Sequence, residues 1–342
     1  MKFDYYFPNL PPTAAPEAAR RAARIGYHGF FTAETSHEPF LSGCLASHAE
    51  PGLEVGTAIT LAFPRSPMVM AQLAWDMQIA AGGKFLLGLG TQIRPHITRR
   101  FSTEWSRPTD RLRDYIKALR AVWDCFQNGT RLRYRGEFYQ LTLMTPFFNP
   151  GPNQLPEIPV FIAGVGPMLS HLAGEMCDGF HVHPFHTVKY LDEVVLPAVR
   201  EGAEQEGRSL DDVALTAPVF VVTGRDTQEM ERPIRAVKEQ IAFYASTPSY
   251  APVLDSHGWD FGPTLNAMSK RGEWQKMADV IPDEVVHEVA VVAPLSELAD
   301  RIVSRYSGRL QRVGIYSMAG DAVFSEKEWT TLAADIRDLS NS

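Results

Sequence analysis

Eight short apolar, aromatic or β-branched runs alternate with segments of helical spacing along this chain, and that alternation restricts its fold more than any other feature. The runs lie at Lys2 to Phe7, Gly29 to Ala33, Leu53 to Thr60, Phe85 to Gly90, Pro159 to Ala163, Gly179 to His183, Val213 to Thr223 and Arg312 to Met318. Helical patterns fill most of the gaps, at Pro16 to Ile25, Pro67 to Ala81, Arg111 to Phe126, Met168 to Cys177, Val188 to Glu206, Gln228 to Tyr244 and Leu295 to Tyr306, with Glu326 to Leu339 after the last run. Strands separated by helices read as βαβ units and a parallel sheet. Eight such units in 342 residues favour closure into a (β/α)8 TIM barrel, with a doubly wound open sheet as the alternative. No repeat or low-complexity linker marks a second domain, so residues 1–342 are expected to form one. Three connections exceed what a compact barrel needs: Thr91 to Pro108, Asn128 to Glu157, and Ser246 to about Asp283. The third holds Tyr250, Trp259, Phe261 and Trp274, which argues for a folded insertion over the barrel mouth, serving either substrate contact or simple packing.

Charge and terminus narrow the function classes. A formal net charge of -7 without any run of basic residues gives no footprint for nucleic acid. The opening Met1 to Phe7 has no basic segment followed by an apolar core, and no apolar run is long enough to span a bilayer, so a cytoplasmic protein is expected. Cys44, Cys125 and Cys177 are odd in number and widely spaced, which speaks against a disulfide framework or zinc knuckle; they read as buried thiols.

The glycine signals fall where strands should end. Gly88 and Gly90 close the fourth run, but the third glycine of a dinucleotide fingerprint is replaced by Ile93. Ala163-Gly-Val-Gly-Pro167 closes the fifth. There Gly164 and Gly166 permit close backbone approach and Pro167 suits the first turn of a helix, an arrangement that fits a phosphate, although strand-to-helix turns also use these residues for steric reasons alone. Barrel enzymes carry their chemistry just past the strands. That rule singles out Glu34, His37 and Glu38 after the second run, Thr91, Gln92, His96 and Glu104 after the fourth, and His181, His183 and His186 around the end of the sixth. The three histidines could ligate a metal, but no carboxylate stands at a ligand spacing nearby, and no metal is expected.

Several motifs, in order over nearly the whole chain, resemble the luciferase-like monooxygenase superfamily. They are Gly56-Thr-Ala-Ile-Thr60 with Phe63-Pro-Arg-Ser-Pro67, Gly83 to Thr91, Arg107 to Arg120, Ile162 to Pro167, and Leu172 to Gly179. Glu34-Thr-Ser-His37 and Gly90-Thr-Gln-Ile-Arg-Pro-His96 are most similar to its branch that uses the deazaflavin coenzyme F420. The resemblance implies a bacterial luciferase-like barrel in which Ile162 to Pro167, including Ala163, Gly164, Val165 and Gly166, hold the cofactor phosphate. Thr57, Ala58, Ile59 and Thr60 would lie behind the ring system, with a non-prolyl cis peptide between Ala58 and Ile59. Gly90, Thr91 and His183 would complete the cofactor surroundings, and His37 would stand near the reactive ring edge as acid or base, with Glu34 or His96 orienting or replacing it. In sugar-phosphate dehydrogenases of the superfamily the catalytic histidine precedes the Pro-aromatic pair by three residues, which falls here on Ser36.

Hydride transfer between the deazaflavin and a small organic substrate follows from this resemblance, with one proton supplied by the protein. The same fold serves two-component enzymes that bind reduced FMN and activate oxygen; a flavin-binding protein without turnover and a metal-dependent hydrolase are the remaining alternatives. A homodimer is expected from the resemblance alone. The substrate is not legible in the chain.

Overall fold

The computed structural model describes residues 1–7, 9–316 and 324–341. Its eight principal strands are β1 (Lys2–Phe7), β2 (Gly29–Thr32), β3 (Glu54–Thr57), β4 (Phe85–Gly90), β5 (Val160–Gly164), β6 (Gly179–Val182), β7 (Ala214–Val222) and β8 (Arg312–Tyr316). They follow one another in chain order around a parallel sheet that the β6–β7 and β8–β1 pairings close, so the fold is the (β/α)8 TIM barrel. Parallel strands covered on both faces need continuous apolar runs, and every residue of β2 and β4 is buried. Of the eighth run, Arg312 to Tyr316 is strand, and Ser317 and Met318 lie outside the described residues.

Contacts group the chain into two compact units. One comprises residues 7–20 and 30–163. Here β3 pairs with β4 from Val55 opposite Phe85, and β4 with β5 from Leu87 opposite Val160. The expected third run, Leu53 to Thr60, is interrupted. Strand β3 stops at Thr57, the Ala58–Ile59 peptide is cis as the resemblance implied, and pairing with β4 resumes only at Thr60 and Leu61. Helix α1 (Pro39–Ala49) begins on a Glu38 carboxylate that accepts the Leu41 N–H at 2.9 Å; helix α2 (Pro67–Ala80) begins on Ser66 with Pro67 in its first turn. Helix α3 (Pro108–Asn128) ends at left-handed Gly129, φ 65°.

The long segment after α3 contains a small antiparallel hairpin, Tyr134–Arg135 with Gln140–Leu141, that the sequence pattern did not reveal. Buried Asp114 of α3 holds it, accepting the Phe138 and Tyr139 N–H groups at 2.7 and 3.0 Å and the Tyr134 hydroxyl. A buried carboxylate requires such donors, and the chain that supplies them is fixed in place.

The other unit comprises residues 1–6, 21–29 and 164–342. Strand β8 pairs with β1 from Lys2 opposite Arg312 and with β7 from Thr216 opposite Arg312. The two-residue strand Val291–Val292 adds to the edge of β7. Helix α4 (Pro167–Met176) packs on α5 (Leu196–Gln205). The connection from Ser246 to Asp283 is folded, as its aromatics suggested, into helices at Ala251–His257, Gly262–Lys270 and Trp274–Met277.

Cysteine burial departs from expectation at one position. Cys125 and Cys177 are buried, whereas Cys44 is exposed. It lies on the outer face of α1 with Leu41, Leu45 and His48, spaced three and four residues apart.

Candidate active site

The backbone past β2 and the interrupted third strand form one hydrogen-bonded node in the first unit. The Glu34 N–H donates to the Ile59 carbonyl at 2.9 Å, and the Ala58 N–H donates to the Thr32 carbonyl at 2.7 Å. Glu34 Oε2 then accepts three donors at 2.8 Å: Thr60 Oγ1, the Leu61 N–H and Arg65 Nη1. Arg65 also reaches Glu38 Oε1 at 3.4 Å. The carboxylate is thereby a clamp on residues 60, 61 and 65.

The threonines of the motif are equally committed. Thr57 Oγ1 accepts the Gly88 N–H at 2.9 Å and donates to the Gly88 carbonyl at 2.8 Å, so it ties β3 to β4 from within the core. Both Thr57 and Thr60 are buried, and neither hydroxyl points outward unpaired. A Cβ on Gly90 would stand 2.5 Å from Ile59 Cδ1, so the glycine makes room for the isoleucine. Beyond it, buried Thr91 donates to the Gln92 carbonyl at 3.2 Å, and the chain leaves β4 through left-handed Gln92, φ 59°.

The structure brings Glu34, Thr57, Ala58, Ile59, Thr60 and Gly90 together, and leaves the two candidate histidines of this unit, His37 and His96, outside the node. His37 is exposed and has no hydrogen-bond partner among the described residues; His96 is exposed at the start of the π-turn His96–Arg100. The loop that carries His37 is nevertheless fixed. Thr35 and Ser36 donate to Asn9 Oδ1 at 2.6 and 3.1 Å, and Arg100 donates to the Thr35 carbonyl. Ser36 is thus a loop anchor. Asn9 carried no sequence signal, while Arg65 stood inside a quoted motif without a role.

In the second unit, the turn from β5 into α4 separates its two glycines by function. A Cβ on Gly164 would come within 2.6 Å of Leu169 Cβ, whereas one on Gly166 would meet nothing within 4 Å. Gly164 serves the packing of its own turn, and Gly166 faces open space at the helix start, where no side chain caps the first N–H groups. Between them the Val165 carbonyl is held by the Tyr190 hydroxyl at 2.8 Å. Gly164→Ala is expected to lower stability by about 1–3 kcal/mol, and Gly166→Ala by under about 0.5 kcal/mol; equal shifts in urea midpoint would contradict this division.

The histidines after β6 are turned inward. His183 Nδ1 accepts the Phe185 N–H at 3.1 Å and its Nε2 meets the Tyr250 hydroxyl at 3.1 Å. His186 Nδ1 pairs with the His183 carbonyl at 2.8 Å, and its buried Nε2 has no partner among the described residues. Burial pushes the His183 pKa down to about 3, helped by His186, and that of His186 down to about 4. Both rings are neutral at physiological pH. Among the described residues no group of three or more His, Cys, Asp or Glu could hold a metal ion, and no helix is long and apolar enough to cross a membrane.

Comparison with known proteins bears on this geometry. The profile of the luciferase-like monooxygenase family matches residues 4–312. An uncharacterised protein of Mycobacterium tuberculosis is 44% identical over 92% of each chain. F420-dependent glucose-6-phosphate dehydrogenase of Mycolicibacterium fortuitum is 31% identical, over 80% of this chain and 76% of its own length. The coenzyme F420 dependent tetrahydromethanopterin reductase of Methanopyrus kandleri shares the fold, with a TM-score of 0.79 over 98% of both chains at 17% identity.

Proposed function

Since this chain belongs to the luciferase-like monooxygenase family and is an oxidoreductase, we propose that it uses coenzyme F420 to oxidise or reduce a small organic substrate. The observation that carries the proposal is the ordered motif set, with Glu34 clamping the interrupted third strand in the manner of a support for a flat ring. Gly166 fits a phosphate, because open space lies over an uncapped helix start. Ala163, Gly164 and Val165 would shape that turn; Ala58 and Ile59 would face the ring system, with Thr57, Thr60, Gly90 and Thr91 fixing their backbone. When bound, the deazaflavin supplies hydride chemistry at its carbon 5.

The protein must handle one proton. His37 is proposed for it: its ring is exposed past the end of β2, and its loop is anchored through Asn9. Glu34 holds the bulge beneath, and His96 is the second candidate for the proton. His37→Ala is expected to reduce turnover about 100-fold with cofactor affinity nearly unchanged; unchanged turnover would remove His37 from the mechanism. The cofactor is tested by titrating the apoprotein with oxidised F420 and, in parallel, with FMN, following fluorescence quenching. Preference for FMN would instead favour the oxygen-activating chemistry for which the family is named.

We also propose that two copies associate through α1 and α2. Leu41, Leu45, Val69 and Ile79 are 41 to 60% exposed on these helices, more apolar surface than two solvated helices of one unit need. Leu45→Glu is expected to convert a dimer to a monomer in light scattering after size exclusion; a wild-type chain that elutes as a monomer excludes the proposal.

A further inference from the structure

The end of β6, together with β7, β8, the helix Thr227–Ala245 that carries Tyr244, and the folded insertion that carries Tyr250, holds a group of rings within the second unit. His183 lies 4.6 Å from Tyr244 and 4.7 Å from Tyr250, centre to centre, and Tyr244 and Tyr250 lie 5.4 Å apart. Phe220 of β7 stands edge-on to Tyr316 of β8 at 5.1 Å, and the Tyr244 and Tyr316 hydroxyls meet at 3.2 Å. His183 follows the last residue of β6, Phe220 lies in the final three residues of β7 and Tyr316 ends β8, so the rings gather at the C-terminal ends of three barrel strands, the face on which barrel enzymes place their substrates.

One hydroxyl in this group is left with a proton to give. The Phe185 N–H occupies His183 Nδ1, so the neutral ring carries its hydrogen on Nε2 and donates it to the Tyr250 oxygen. Tyr250 therefore accepts from His183, and its own O–H has no acceptor among the described residues. Its side chain is half-buried, and burial pushes its pKa up to about 12, so the hydroxyl stays protonated and can act as a donor. Tyr244, by contrast, is already paired with Tyr316.

Charge is the second observation. Among the described residues no lysine or arginine makes a hydrogen bond, ion pair or ring contact with His183, Tyr244, Tyr250, Phe220 or Tyr316. A phosphorylated or carboxylated substrate buried against such rings would lack a counter-charge. Building on the oxidoreductase reading above, we infer that the substrate is a neutral, largely apolar small molecule whose reacting oxygen accepts a hydrogen bond from Tyr250, with His183 as the positioning residue for that hydroxyl. This sets the chain apart from the sugar-phosphate specificity in the name of its Mycolicibacterium fortuitum relative.

The test uses acetophenone as a neutral carbonyl probe and glucose 6-phosphate as the charged one, each titrated into the full chain by calorimetry. Acetophenone is expected to bind and glucose 6-phosphate is not. Tyr250→Phe should weaken acetophenone about fivefold while F420 affinity stays within about twofold and the melting temperature is kept. In a His183→Ala background the Tyr250→Phe change should have no further effect, which a merely structural histidine would not produce. Absence of acetophenone binding, tighter binding of glucose 6-phosphate, or an unchanged acetophenone affinity in Tyr250→Phe would each overturn the inference. Failure of the wild-type chain to bind F420 would count against the cofactor proposal alone, because the probe titrations do not depend on it.

Discussion

Glu34→Ala is expected to lower the stability of the chain by about 3–5 kcal/mol and to weaken F420 binding at least about tenfold. The carboxylate is only 7% exposed and Arg65 16%, so their attraction is poorly screened, and without it Arg65 keeps only longer contacts of 3.4 Å, to Glu38 and to the Leu61 carbonyl. The same change strips an acceptor from the Leu61 N–H and from Thr60 Oγ1. Each lost partner adds about 1 kcal/mol or more when the group stays buried. Residues 60 and 61 then lose their tie to the chain past β2, and whatever ring they support loses its backing. Glu34→Gln should fall between, since an amide oxygen still accepts from Leu61 while the charge pairing with Arg65 is gone. Urea unfolding and F420 fluorescence titration read the two effects separately. A Glu34→Ala protein with the wild-type urea midpoint would show that the clamp carries no stability.

The second large effect belongs to Asp4. Its side chain is fully buried and grips Arg312, 7% exposed, through two hydrogen bonds of 2.7 and 2.8 Å between neighbouring strands β1 and β8. Asp4→Ala removes the carboxylate that faces a buried guanidinium, and a loss of about 3–5 kcal/mol is expected. Replacing both partners, as Asp4→Leu with Arg312→Met, should recover most of that loss, because the pair's attraction largely offsets its own desolvation. Exposed pairs behave differently. Arg24 and Glu326, each about half exposed, are screened by solvent and should contribute far less than the buried pair. If Asp4→Ala and its double variant unfold at the same denaturant concentration, the ion pair is not what makes Asp4 necessary.

The glycine turns show how a motif can be legible while its reason is not. Gly164 and Gly166 both read as openings for a ligand, yet Leu169 occupies the space beside one and nothing occupies the space beside the other. Gly90 looked like part of the same signal and turns out to seat Ile59. Glycine in a sequence states that a Cβ is unwelcome; only the neighbours say what excludes it. Glu34 illustrates the same gap for charge. Its position after a strand marked it as chemical, and its hydrogen bonds make it the holder of the bulge.

By itself the sequence determined the alternation of eight strands with helices, and with it the barrel, because strand and helix periodicity are written in neighbouring residues and a parallel sheet needs apolar runs throughout. It also marked the Ala58–Ile59 bulge and the β5–α4 turn through motifs of a few consecutive residues. Tertiary structure alone decided which of those residues support and which stay open. Asn9 beneath the His37 loop, Asp114 under an unforeseen hairpin, and Tyr250 against His183 all act across separations of 24 residues or more. Such pairings depend on which donor is buried beside which acceptor, and that is set by packing, for which no local pattern exists.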